Sequence, residues 1–170
     1  DGNRYRKIAH DPEAIEHLFV DLFLDAHAKA PARITLDLDA TDDPIHGRQE
    51  GRFFHGYYDS YCYLPLYVFC GEHLLAAKLR RSNIDASAGS VEEIDRIVRR
   101  IRARWPKVKI LLRGDSGFAR EALMAWCEMN EVDYLLAPTA PAKATASPAT
   151  PDWSTRSTSI SPGPRMRRSA

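Results

Sequence analysis

The sequence predicts an α/β domain built on a mixed sheet, antiparallel on one side and parallel on the other. Three observations carry this. Ile34-Thr35-Leu36-Asp37-Leu38-Asp39 alternates apolar and polar residues, the pattern of a half-buried strand. Two apolar runs, Tyr61 to Cys70 and Leu74 to Leu79, flank the short Gly71-Glu72-His73 turn and read as a hairpin. Two more apolar runs, Val108 to Leu112 and Tyr134 to Ala137, each follow a helical pattern, and strands joined through helices run parallel.

Taken in order, Asp11-Pro12-Glu13 opens a helix, with Asp11 as the N-cap and Pro12 where a missing N–H costs nothing. Ile15, Leu18, Phe19, Leu22 and Phe23 then recur at helical spacing until the pattern fades before Pro31. His17 and His27 are expected on the surface of this helix. After the first strand, Thr41 to Tyr58 reads as a polar loop, and the hairpin follows. Ser82 to Gly89 is a second loop. Ser90-Val91-Glu92-Glu93 has capping-box spacing and starts a helix with an apolar stripe of Val91, Ile94, Ile97, Val98, Ile101 and Trp105, which Pro106 stops. A short strand ends at Arg113-Gly114-Asp115. A helix from about Ala119 to Asn130 and the last strand complete the body.

The 170 residues carry 24 Lys and Arg against 23 Asp and Glu, so net charge makes no global case for nucleic acid or membrane. The average hides a break at Pro138. Of the last 33 residues, 23 are Pro, Ala, Ser or Thr, with five basic residues and one acid, which leaves residues 1–137 at a net of −3. Such a segment cannot bury enough surface to offset its chain entropy. The expected organisation is an N-terminal extension (1–10), a folded domain (11–137) and a disordered basic tail (138–170). No run of 18 apolar residues occurs, so no spanning helix and no membrane partner are expected. Cys62, Cys70 and Cys127 are odd in number and lack Cys-x-x-Cys spacing, which suits a reducing cytoplasm. The chain begins with Asp1, as a fragment or a processed product would.

The chemistry lies in the carboxylates. Asp37 and Asp39 share one face of the first strand, and Asp115 ends the strand at Val108–Leu112. Ligands of open α/β sheets sit beyond the carboxyl ends of strands, so Asp39 and Asp115 are expected to converge. Clustered carboxylates are hard oxygen donors for Mg²⁺ or Mn²⁺.

Asp39-Ala40-Thr41, followed by Asp42-Asp43-Pro44-Ile45-His46-Gly47, resembles the first catalytic block of the DDE insertion-sequence transposases, in the ribonuclease-H-like superfamily that includes retroviral integrases. Tyr63-Leu64-Pro65-Leu66, Leu111 to Phe118 and Met124 to Glu128 are similar to that group's later blocks, in the right order. The resemblance spans about residues 30–137. It implies a ribonuclease-H-like mixed sheet, three antiparallel strands then parallel ones, flanked by helices and incomplete at the C-terminus. It also implies Asp39 and Asp115 as catalytic metal ligands for Mg²⁺ or Mn²⁺, with Asp37, Thr41, Asp42 and His46 as neighbours of the site. The implied partner is DNA carrying terminal inverted repeats, with self-association or a full-length transposase beside it. The family's third carboxylate, a Glu on a later helix, has no counterpart, and the tail contains no Glu. The expectation is therefore a C-terminally truncated domain, inactive alone.

Asp37-Leu38-Asp39-Ala40-Thr41 also matches the first motif of haloacid-dehalogenase-like phosphatases, with Asp37 as nucleophile and Asp39 as general acid/base. No second Asp follows Asp115 within five residues, and the strand after Asp39 enters a hairpin; both weigh against it. A non-catalytic DNA-binding fragment is the remaining alternative.

Arg48, Arg52, His55 and Arg113 are candidate DNA contacts. Arg96, Arg99, Arg100, Arg102 and Arg104 form a basic stretch, better read as a solvated helix face because Glu92, Glu93 and Asp95 share the helix. His46 is better read as ordering the turn at Gly47 than as a ligand. Tyr57, Tyr58, Tyr61 and Tyr63 suit base stacking, although alternation favours sheet packing for Tyr61 and Tyr63.

Overall fold

A computed structural model describes residues 11–137. The N-terminal extension and the tail expected at 1–10 and 138–170 lie outside the described residues. The elements, in chain order, are α1 (Pro12–Asp25), β1 (Arg33–Ala40), β2 (Asp43–Pro44), β3 (Phe53–His55), β4 (Ser60–Tyr63), β5 (Leu66–Cys70), β6 (His73–Lys78), α2 (Ser90–Arg104), β7 (Lys109–Gly114), a 3₁₀ turn (Ser116–Phe118), α3 (Glu121–Met129) and β8 (Asp133–Leu136).

Five strands form the main sheet in the order β6-β5-β1-β7-β8. β6, β5 and β1 are antiparallel neighbours, whereas β1, β7 and β8 run parallel. This is the mixed sheet expected from the order of elements. Alternation decides which face is buried. Leu36, Leu66, Val68, Ile110 and Leu112 are sealed in one core with Ile94, Ile97, Val98 and Ile101 of α2. Thr35, Asp37, Tyr67, Phe69 and Leu111 point the other way and are only half-buried. β1 is thus central, with hydrogen-bonded neighbours on both sides and one polar face.

Several expectations change. The loop read at 41–58 contains β2 and β3, which join β4 in a second sheet of order β2-β4-β3. The run read as one strand from Tyr61 to Cys70 is broken at Leu64-Pro65, because Pro65 has no N–H for a ladder. Leu64 turns instead to Arg80: its N–H donates to the Arg80 carbonyl at 2.9 Å, and its carbonyl accepts from Arg80 Nε at 2.9 Å.

Helix α1 starts as read, with Asp11 Oδ1 accepting from Ala14 N at 3.2 Å. It buries Val20, Phe23 and Leu24 rather than the whole expected stripe, and Ile15, Leu18 and Leu22 remain about half exposed. The docking face is set by what α1 meets, β6 and α2, which periodicity alone does not report. His27 is not a plain surface residue. Its Nδ1 lies 2.8 Å from the Phe23 carbonyl, and its ring packs against Phe23, His73 and Trp105.

Helix α2 begins one residue earlier than its capping box implies. Gly89, at φ +75°, is the N-cap and Ser90 is already helical, so Glu93 does not reach back. Glu93 is buried between Arg96 and Lys78. The remaining arginines bear out the solvated-face reading. Arg99 pairs with Asp95, Arg100 with Asp21 and Arg104 with Asp25, while Arg102 donates to the carbonyls of Asn130 and Glu131. Cys62, Cys70 and Cys127 are free and buried. No described helix is long and apolar enough to cross a membrane.

Candidate active site

The parallel register of β1 and β7 sets the site. Arg33 faces Lys109 and Asp37 faces Arg113, a constant offset of 76 residues. Carried two residues further, the same offset puts Asp39 level with Asp115. Asp39 is the penultimate residue of β1, and Asp115 follows β7 in extended geometry, at φ −77° and ψ −175°. Both are exposed. The two residues therefore stand level at the carboxyl ends of adjacent parallel strands, where ligands of such sheets bind.

Local structure orients each one. Asp115 caps the 3₁₀ turn, its Oδ1 accepting from Gly117 N at 2.8 Å. A Cβ at Gly117 would lie 3.0 Å from that oxygen and 3.2 Å from the Ala86 Cβ, so a larger residue there would press on the carboxylate. The Ala86 loop is held in turn. Arg80 donates to the carbonyls of Ala86 and Ala88 at 3.0 and 2.6 Å, and Arg120 pairs with Asp85 at 2.8 Å. The Ser87 hydroxyl, with Arg120, holds the Asp85 carboxyl down to about 2.

On the other side of β1, the β1–β5 ladder resumes in unchanged register as the β2–β4 ladder: Ala40 faces Leu66, and Asp43 faces Tyr63. The interruption falls where Pro65 and the diverted Leu64 offer no partners. Thr41 and Asp42 are consequently unpaired, just beyond Asp39. Past them the ribbon carries β3, and Tyr58 lies in the β3–β4 connection. Burial, then the negative charge of Asp42 and more weakly of Asp115, pushes the Tyr58 hydroxyl above its ordinary range. The sequence points to Tyr58 only as a stacking ring; its place in a hairpin connection depends on two short strands the sequence does not advertise.

The other candidates divide. Asp37 is bound bidentately by Arg113, its direct neighbour across β1 and β7, at 2.5 and 2.9 Å. This ion pair occupies both oxygens that a phosphatase nucleophile would need, and it commits Arg113 to a protein partner rather than leaving it free for DNA. His46 is exposed, and the bond that orders the Gly47 turn (φ +82°) comes from Arg52, which donates to the Gly47 carbonyl. Arg48 is exposed on the same loop. Arg52 lies over the Tyr61 ring at 4.6 Å, and His55 packs against Tyr58 at 4.8 Å.

Among the described residues, no three of His, Cys, Asp and Glu gather as a metal site. Asp39 and Asp115 are nonetheless a fit for Mg²⁺ or Mn²⁺ of one kind. A hard cation that keeps several waters and takes substrate phosphate needs only one or two carboxylates. A second, closely bridged ion has no donors here. Cavities of about 490 and 440 Å³ lie at the opposite ends of these strands, beside Lys107 and Asp133 and beside His27 and His73. The carboxylate pair itself is on open surface, as a polymeric substrate requires.

The sequence pattern of one family, transposase DDE domain group 1, matches residues 3–157. Among solved structures, the chain is similar to the catalytic domain of Mos1 mariner transposase at 9% identity and a TM-score of 0.44, over 82% of this chain and 67% of that one. It is similar to the Mos1 paired-end complex with the left transposon end at 8% identity and 0.40, over 79% of this chain and 45% of that one. The Mos1 paired-end complex with Mn is similar at 8% identity and 0.44, over 79% and 46%. This chain thus spans less than half of the transposase chain in either complex. No curated protein matches it.

Proposed function

This chain belongs to the transposase DDE domain group 1 family, and we propose that it serves DNA transposition by holding a divalent cation between Asp39 and Asp115 against a phosphodiester of an insertion-sequence end. The observation that carries this reading is the 76-residue register of β1 and β7, which supports a common site for two carboxylates far apart in sequence. A bound Mg²⁺ or Mn²⁺ would offset charge on the phosphodiester and lower the pKa of an attacking water or 3′-hydroxyl.

The chain's own groups do the rest. Asp115 is held by the Gly117 N–H, so one of its oxygens stays oriented. The half-buried Tyr58 would offer its O–H to a phosphate oxygen. Arg113 neutralises Asp37, which keeps a further carboxylate charge from repelling the substrate. On this reading the partners are DNA with terminal inverted repeats and a second transposase chain. The resemblance calls for three carboxylates, and the register of β1 and β7 supports two. We therefore expect strand transfer to need a Glu from outside residues 11–137, in cis or from a full-length transposase, and this chain alone to be a poor nuclease.

Fe²⁺ tests the reading without requiring turnover. Loaded in place of Mg²⁺ with ascorbate and peroxide, it generates radicals that cut whatever lies beside it. Backbone cuts near residues 39 and 115, lost in Asp39→Asn and competed by Mg²⁺, are expected. Strand cuts in bound inverted-repeat DNA should localise to one phosphodiester neighbourhood. Protein cuts elsewhere, or cuts indifferent to Asp39→Asn, would overturn the metal assignment; absence of DNA cuts would overturn the DNA one.

A further inference from the structure

The small sheet carries a feature that metal binding does not use. Phe54 and Tyr61 are cross-strand partners of β3 and β4, and both face outward, 53% and 49% exposed, with ring centroids 5.5 Å apart. Their neighbours Phe53 and Cys62 face inward, so the outward face is separate from the packing that holds the hairpin. Arg52 lies over Tyr61 at 4.6 Å and is anchored through its bond to the Gly47 carbonyl. At the tip, Tyr57 is 86% exposed, and its ring stands edge-on to Tyr58 at 5.0 Å. Asp59, at φ +49°, sets the turn that presents it. The hairpin tip thus carries one exposed ring, Tyr57, against a half-buried one, Tyr58.

Exposed aromatics with a stacked guanidinium are a platform for unpaired nucleic-acid bases, since every base offers a π-face. Charge favours this occupant over plain duplex. Between residues 41 and 63 there are four acids, Asp42, Asp43, Glu50 and Asp59, against Arg48 and Arg52, so phosphate attraction alone is weak there. Stacking needs no net charge. The ribbon that bears the platform is also a continuation, in register, of the strands that bear the carboxylate site.

We propose that the β3–β4 hairpin is a base-stacking element, in which Tyr57 and the Arg52–Tyr61–Phe54 face hold unpaired nucleotides of the strand whose phosphodiester lies at Asp39 and Asp115. The proposal rests on the transposition reading and deepens it, because it selects DNA whose ends are frayed or distorted over intact duplex.

The test uses the whole 170-residue chain and two DNA probes of one sequence, fully paired or with three unpaired terminal nucleotides, each with 2-aminopurine near the end. The unpaired probe should bind tighter and its fluorescence should be quenched on binding. Tyr57→Ala should lose about 5- to 150-fold in affinity for that probe only, and Tyr57→Phe should restore it. The preference should survive raised salt, because it comes from stacking. Tyr57 is exposed, so these variants keep the fold, and circular dichroism checks this. Equal binding of both probes, unchanged by Tyr57→Ala, would overturn the stacking element and leave the transposition reading standing. No binding of either probe would overturn both. Concentration-dependent association of the chain, lost in Phe54→Ser and Tyr61→Ser without any effect on the probes, would assign the face to a second copy and overturn the proposal.

Discussion

Removing the Glu93 carboxylate should be among the more damaging single changes in this domain, although the residue lies away from Asp39 and Asp115. Its side chain is 5% exposed on α2, against Arg96, which is 16% exposed, and Lys78 Nζ at 3.7 Å. Breaking a buried pair by deleting one member costs about 3–5 kcal/mol, because the survivor is left charged and poorly solvated. Two features reduce this. Lys78 is 47% exposed and returns to water, so its share is small. Arg96 keeps the Glu16 carbonyl, at 2.6 Å from Nη1. A loss of about 2–3 kcal/mol is therefore expected for Glu93→Ala. With a urea slope of about 1–3 kcal/mol per molar, the midpoint should fall by roughly 1–2 M. The double variant Glu93→Leu, Arg96→Met removes both charges and should lose less than Glu93→Ala alone. A midpoint shift under about 0.3 M at unchanged slope, or a double variant worse than the single, would refute the account of Glu93 as a buried charge kept by its partners.

The loop at Asp85 should be acid-labile. Its folded carboxyl is held at about 2 against an ordinary 3.8, so the stabilisation is complete above about 4 and disappears as pH falls through about 2. Urea midpoints of the wild type and Asp85→Asn should differ at pH 6 and converge only as pH falls below about 2. The thiols should be silent in the folded protein: burial pushes Cys127 up to about 11 and raises Cys70 as well, and Cys62 is fully buried. An aromatic disulfide reagent at pH 8 should titrate none of them until guanidinium is added, and then all three.

Much of the architecture was legible. The alternation of Ile34 to Asp39 yields β1 with its polar face, and the run from Ile94 to Ile101 yields the buried side of α2, because strand and helix periods are properties of a few consecutive residues. The parallel pairing of β1 with β7, which puts Asp39 and Asp115 at neighbouring strand ends, could be anticipated from the order of elements. Other features could not. β2 and β3 are two and three residues long, too short for a pattern to show. The face α1 buries is chosen by β6 and α2, which leaves Ile15, Leu18 and Leu22 outside despite their spacing. Gly89 displaced Ser90 as the cap because its left-handed backbone turns the chain into the helix without a side chain.

What the sequence by itself determined, then, was the set of elements and the candidate carboxylates. Only the tertiary structure decided which groups stand beside one another. Asp37 meets Arg113 across 76 residues, and the same register that locks this pair levels Asp39 with Asp115. The physical reason is that periodicity is a local property, whereas strand register is fixed by hydrogen bonds and by the helices packed over the sheet between the paired segments, and no short window of sequence contains both partners.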